Sequence, residues 1–372
     1  MPKYTNKSAI ILETKSEKSD IDTNKCVEEI REYGTIALEK YEVVIGILYN
    51  GKHTRVFRNN KPMEVPNELQ NKEYYIDIIK DKPLDKHKIY TLTAKINNNL
   101  HFNFGVKNLY SRMVFTAAAL VAERYSKHAL MLEMDFDTLH NSIRSNLNKS
   151  LIDSKQQNQK LGIIVEVFSD IRMNYTEDQT AINEFIKDVK SISKAVNSNH
   201  WAGEDVMGIF FNEFNRYKGK SEQGQVFTPD HITNFMYRLI DSNKDDYILD
   251  AACGSGAFLV KSMSNMIIEA GGVATNKAKE IKANRLFGIE NDKEIFALAC
   301  ANMLIHKDGK TNLEYMDSRK EEAGDWIKEK PITKVLMNPP FENKYGWDEI
   351  IINVLDNVNQ GTMCAIILPD KT

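Results

Sequence analysis

Apolar positions along the chain change rhythm twice. In the first stretch, residues 9–15 (AIILETK) and 42–49 (EVVIGILY) are apolar runs of strand length. Asn50-Gly51 predicts a turn leading into the alternating HTRVF segment, and residues 22–40 between the two runs carry helical spacing. This predicts a small α/β unit over residues 1–106. From 107 to 222 the runs lengthen and become amphipathic, as in RMVFTAAALVAERY and AINEFIKDVKSISKAV, with polar separators such as SKQQNQK. That pattern predicts a helical domain. The third rhythm fills residues 223–372. Short apolar runs at 247–250 (YILD), 286–290 (LFGIE), 313–317 (LEYMD), 334–340 (KVLMNPP) and 363–369 (MCAIILP) alternate with helical segments. Such alternation predicts a doubly wound, mostly parallel sheet, and an α/β fold class for the chain.

Composition narrows the partners more than the fold. Of 372 residues, 42% are hydrophobic and 27% charged, the balance of an ordinary soluble protein. No apolar run reaches bilayer length, and Met1–Lys7 is polar and lacks a secretory apolar stretch, so a cytoplasmic address and no membrane partner are expected. Cys26, Cys253, Cys300 and Cys364 are widely spaced and read as reduced packing thiols. A net charge of −3 gives no basic footprint. A nucleic-acid partner would then need a local basic groove or a separate recognition module.

Open parallel sheets bind ligands beyond the carboxyl ends of their strands, so the chemistry is sought there. The first strand of the third region ends in Asp250-Ala251-Ala252-Cys253-Gly254-Ser255-Gly256, where glycines permit a tight turn and close backbone approach. Alone this is weak, because many sheets need such a turn sterically. Its companions are Glu290, whose carboxylate can accept both hydroxyl protons of a ribose, and Asp317, placed to accept from an adenine amino group. Each acid alone is more often a strand end or a cap, but three acids on successive strand ends make an acidic rim suited to a cationic sulfonium. No GxxxxGK[ST] phosphate loop is present.

Asn338-Pro339-Pro340-Phe341 closes the fourth strand. Two prolines end the ladder and leave the Pro339 carbonyl free to accept. An exocyclic amino nitrogen is a poor nucleophile because its lone pair is delocalised. Two acceptors, the Asn338 side-chain oxygen and the Pro339 carbonyl, can hold its N–H groups, and Phe341 offers a flat face for an extruded base. The plainer reading is a strand terminator followed by a core phenylalanine.

The run GQVFTPD (224–230), then ILDAACGSGAFL, FGIEND and MNPPF, resembles in content and order the amino-methyltransferases of type I restriction-modification systems and their type IIG relatives. The resemblance spans about residues 107–372. It implies a Rossmann-like methyltransferase core that uses S-adenosylmethionine to methylate N6 of a flipped adenine in double-stranded DNA. It also implies that Gln225, Phe227, Thr228 and Pro229 pack beside the cofactor, and that a target-recognition domain or specificity subunit is a partner. Two further strands and a DNA-recognition region are expected downstream of Thr372, so the sequence is read as a fragment or as completed by another chain. Rival readings are an RNA guanine or protein glutamine methyltransferase, a cytosine N4 enzyme, and a non-catalytic DNA-binding or assembly subunit.

Glu13-Thr14-Lys15 ends the first apolar run. With the following helix bearing Tyr33, the second strand and the Asn50-Gly51 turn, it resembles the metal-dependent nuclease core of type I restriction subunits. That resemblance implies Glu13 as a Mg²⁺ ligand and Lys15 as the group polarising water or phosphate. The family's upstream acid has no counterpart before Glu13, and its glutamine four residues before the tyrosine is Glu29 here. A solvated Glu-Lys pair is the alternative.

Overall fold

The computed structural model describes residues 8–63, 69, 72–79, 86–126, 129–152, 162–196, 206–214, 228–273, 275–306 and 312–369. It divides into two compact units, residues 1–83 with 266–281, and residues 84–265 with 282–372.

In the first unit the elements are β1 (Ser8–Thr14), α1 (Asn24–Leu38), β2 (Val43–Tyr49), β3 (Thr54–Arg58), β4 (Lys61–Met63) and α2 (Lys72–Ile79). The strands lie in the order β1-β2-β3-β4. β1 and β2 are parallel with α1 as their crossover, and the other two pairings are antiparallel. β2 is buried on both faces, which is why it reads as an unbroken apolar run. One face packs Leu48 and Phe57 on Val27 and Ile30 of α1, and the other packs Ile45, Ile47, Val56 and Met63 with Tyr75 of α2. The Asn50 side chain builds the expected turn by accepting from the backbone of Lys52 and His53 at 3.1 and 2.8 Å. A second hairpin was not anticipated. Asn59 and Asn60, at φ +48° and +65°, join β3 to β4.

Among the described residues the second unit begins with six helices: α3 (Lys86–Phe102), α4 (Leu109–Tyr125), α5 (Phe136–Ser150), α6 (Ile163–Ser169), α7 (Gln179–Val196) and α8 (Val206–Phe214). α4 is buried from Arg112 to Ala122, and Phe104, Phe115, Phe168 and Phe185 form a linked aromatic cluster against it. The expected boundary after residue 106 moves to residue 83, because α3 belongs with these helices. Asn97 accepts from Arg112 Nε at 2.7 Å and Asn99 donates to the Ala181 carbonyl at 2.8 Å, both buried. Asparagines that look solvated in the sequence are here interior hydrogen-bonding groups.

Along the chain then follow α9 (Asp230–Leu239), β5 (Ile248–Asp250), α10 (Ala257–Glu269), α11 (Asn276–Asn284), β6 (Leu286–Glu290), α12 (Lys293–Ile305), β7 (Asn312–Tyr315), α13 (Glu321–Lys328), β8 (Lys334–Met337), α14 (Trp347–Asn357) and β9 (Met363–Ile366), of which the end of α10 and most of α11, within residues 266–281, are counted with the first unit. The sheet order is β7-β6-β5-β8-β9 with every pairing parallel, as the alternating pattern predicts. Leu249, Ile289, Val335 and Met337 of the sheet pack on Ile327, Ile350 and Val354 of α13 and α14. α12 is buried from Ile295 to Ile305 and contacts both the sheet and helices α4 and α6, so the helical part docks on the sheet through it. Lys293 and Glu166 add an ion pair at 2.6 Å across that junction. Strand order reverses between β5 and β8, and this switch point positions the site. Among the described residues no helix is long and apolar enough to cross a membrane.

Candidate active site

A cleft of about 400 Å³ opens at the carboxyl ends of β5, β6 and β8. Its floor is the glycine turn. Gly254 and Gly256 have φ of +55° and +87°, conformations that only glycine adopts without strain, and a methyl group on Gly254 would meet nothing within 4 Å. Asn302 braces the turn by donating to the Ser255 carbonyl at 2.9 Å. The Ser255 hydroxyl is buried without a partner.

Two acids face this turn, one buried and one half-buried. Asp250 is 1% exposed and accepts from the Ala252 backbone at 3.1 Å. Burial pushes its carboxyl up to about 8, and the nearby Glu290 carboxylate adds to the shift. Glu290 is also pushed above the usual carboxylate range by burial, against the pull of three backbone donors. Its Oε1 accepts from Asn291 and Asp292 at 2.9 and 2.8 Å, and its Oε2 from Gly254 at 3.0 Å. A carboxylate has about four lone-pair positions. One remains on Oε2, so the expectation that Glu290 takes two ribose hydroxyl protons narrows to one.

Asp317 lies two residues beyond the end of β7 and is gripped by its own neighbour. Arg319 Nε donates to Oδ1 at 2.9 Å and Arg319 Nη2 to Oδ2 at 2.6 Å, a two-pronged pair that holds the Asp317 carboxyl below its ordinary range.

On the β8 side, the Asn338 amide donates to Thr228 Oγ1 at 3.0 Å, while Asn338 Oδ1 is buried with no donor. An orphaned buried acceptor is costly unless a ligand satisfies it. Pro339 is buried and receives no hydrogen bond at its carbonyl among the described residues. Phe341, expected as a stacking face, is 42% exposed at the cleft wall and is not a core residue. Two free acceptors beside an exposed ring can hold an amino group of a planar heterocycle. Cys253 lines the cleft as a thiol, pushed well up by burial, which fits a packing role rather than a nucleophile.

The turn thus brings together Asp250, Gly254, Ser255, Glu290, Asp317, Asn338, Pro339, Pro340 and Phe341 with Thr228. Gly256 contributes backbone conformation. Pro229 is exposed and starts α9 instead of lining the cleft. Gln225 and Phe227 lie outside the described residues.

Residues 202–363 match the protein-family model described as N-6 DNA Methylase. The chain has relatives of the kind the sequence motifs suggested. The chain is 31% identical over 253 residues to the type II restriction enzyme and methyltransferase RM.BcgI of Heyndrickxia coagulans, covering 64% of this chain and 39% of that protein. It is 23% identical over 245 residues to the type I restriction enzyme EcoEI methylase subunit of Escherichia coli, covering 60% of this chain and 48% of the subunit. The chain therefore spans half or less of the length of these relatives. A chain from a structure of a type I restriction-modification system superposes with a TM-score of 0.52 at 16% identity over 77% of this chain and 65% of its own, a likeness of fold.

Sequence reasoning missed Arg319 and the Thr228–Asn338 bond. The acid-x-arginine spacing of Asp317 and Arg319 was legible, but its fork geometry was not. In the first unit, Lys15 is 3.0 Å from Glu13 and also bonds Glu29, and the two carboxylates hold its ammonium above its ordinary range. Among the described residues no group of three or more His, Cys, Asp or Glu side chains gathers that could hold a metal ion, and the Lys15 ammonium bonds both Glu13 and Glu29.

Proposed function

We propose that the chain methylates the exocyclic N6 of adenine in double-stranded DNA with S-adenosylmethionine. The carrying observation is the orphaned Asn338 Oδ1 beside the free Pro339 carbonyl and the exposed Phe341 ring. Acceptors so placed favour a pyramidal amino nitrogen whose lone pair is available, and the ring stacks a base turned out of the duplex. S-adenosylmethionine supplies an electrophilic methyl group on a sulfonium. The donor set suits that cofactor: Asp250 faces its ammonium group, Glu290 Oε2 one ribose hydroxyl, and Asp317 its adenine amino group. Catalysis would rest on alignment and fixed dipoles: Asn338 and Pro339 would hold the two N–H groups while the methyl carbon's bond to the sulfonium sulfur breaks and its bond to N6 forms, the neutral thioether leaving and the surplus N–H proton passing to solvent.

The relatives' descriptions, a type II restriction enzyme and methyltransferase and a type I restriction enzyme methylase subunit, support duplex DNA as substrate. They also support a target-recognition domain or specificity subunit as partner. The test is incubation with labelled cofactor and duplex DNA, followed by identification of the modified nucleoside. N6-methyladenine is expected. Methylcytosine, methylated RNA or methylated protein as sole product would overturn the reading.

A further inference from the structure

Arg319 has no role in the cofactor contacts inferred above, yet it lines the cleft and spends its guanidinium on Asp317. The lone pairs can be counted. Asp317 Oδ1 accepts from Arg319 Nε at 2.9 Å and from the Arg319 backbone N–H at 3.0 Å, so it is full. Oδ2 accepts from Nη2 at 2.6 Å and keeps one position. The acid is therefore held in one orientation with one acceptor position left, on a residue that lines the cleft. Its environment is cationic, since Lys320 adds to the pull of Arg319. The arginine is itself held. Glu349 favours its charge, and its stem runs so close to Gly346 that a Cβ there would lie 3.1 Å from Arg319 Cδ. Gly346 sits at φ +60° as the residue before α14, so this passage depends on a glycine.

We propose that Arg319 is a positioning residue that fixes Asp317 as a pure hydrogen-bond acceptor, making the cleft selective for a 6-amino purine over a 6-oxo purine on the cofactor. This rests on the cofactor reading given above. An ionised carboxylate can accept from the N6–H of adenine but can only repel the O6 of hypoxanthine. Once protonated it could donate to O6, and the distinction would fade.

The experiment measures calorimetric affinities of S-adenosylhomocysteine and S-inosylhomocysteine, which differ at purine position 6 and in the N1–H that the 6-oxo purine carries, between pH 5.5 and 8. Wild type, Arg319→Gln and Arg319→Lys are compared, with thermal melts to establish folding. Because both compounds meet Asp250 and Glu290 identically, the affinity ratio isolates Asp317. Wild type is expected to favour the adenine compound by about tenfold or more at every pH, the worth of one charge-assisted hydrogen bond. In Arg319→Gln the ratio should fall to within about threefold, because a carboxylate freed from the fork no longer holds Oδ2 in one orientation towards position 6 of the purine. Arg319→Lys, which keeps the charge but loses the fork, should lie between them. Equal weakening of both compounds at every pH, or no change in either, would show that Arg319 only braces the fold. Wild type binding neither compound would overturn the cofactor reading, and this inference with it.

Discussion

Asn338 donates its amide hydrogen to Thr228 Oγ1 at 3.0 Å, which turns its Oδ1 away from Thr228 and leaves that oxygen unpaired in the cleft wall. Residues 110 apart in sequence thus set one reacting geometry. Thr228→Val removes the acceptor while keeping the side chain's shape. We expect turnover to fall about tenfold, with Thr228→Ser near wild type, since one oriented polar contact is worth on the order of 1 kcal/mol. Single-turnover methylation of duplex DNA checks this.

Asn338→Ala should remove most turnover and leave cofactor affinity nearly intact. Loss of one preorganised contact of this kind costs on the order of 3 kcal/mol, about a hundredfold or more in rate. Glu290→Ala should do the reverse, because Glu290 lines the cleft with one acceptor position left on Oε2 and its bond to Gly254 holds the turn. Comparing kcat with the cofactor Kd separates the two, and equal effects of both changes on Kd would refute the assignment.

Asp250 predicts a pH-dependent stability. Its folded carboxyl titrates near 8, against about 3.9 when unfolded. Between those values the unfolded chain binds fewer protons than the folded one, so this residue's contribution to stability is lost as pH rises through the window. Glu290 is shifted in the same direction. Asp250→Asn should therefore stabilise the cofactor-free protein by on the order of 2 kcal/mol at pH 7.5, with little gain near pH 4. The same change should weaken binding of the cationic cofactor. Urea unfolding at the two pH values, with the variant as reference, measures the difference.

Gly254→Ala separates backbone strain from ligand space. At φ +55° an alanine costs about 1 kcal/mol or more. Its methyl group meets no protein atom within 4 Å, so stability should fall only by that amount. Cofactor affinity should fall further, because the added methyl stands at the cleft wall. A melt and a cofactor titration report the two effects independently.

Much of this was legible in the sequence, because periodicity and strand ends are local. β6 spans Leu286–Glu290 as the apolar run does, and the five runs after residue 246 became five parallel strands. The motif order also placed Asp250, Glu290 and Asn338 at strand ends, since a parallel sheet exposes its chemistry there. Long-range and orientational facts were not legible. The move of α3 to the second unit depends on buried asparagine bonds to Arg112 and Ala181. Lys15 meets Glu29 only because α1 lies beside β1. Which lone pairs remain on Glu290, Asp317 and Asn338 depends on the donors that packing brings to each oxygen. The sequence by itself determined that Asp250, Glu290 and Asn338 stand at the ends of strands; only the tertiary structure decided how many hydrogen bonds each can still accept from a ligand, because hydrogen bonds are directional and their partners are chosen by three-dimensional packing.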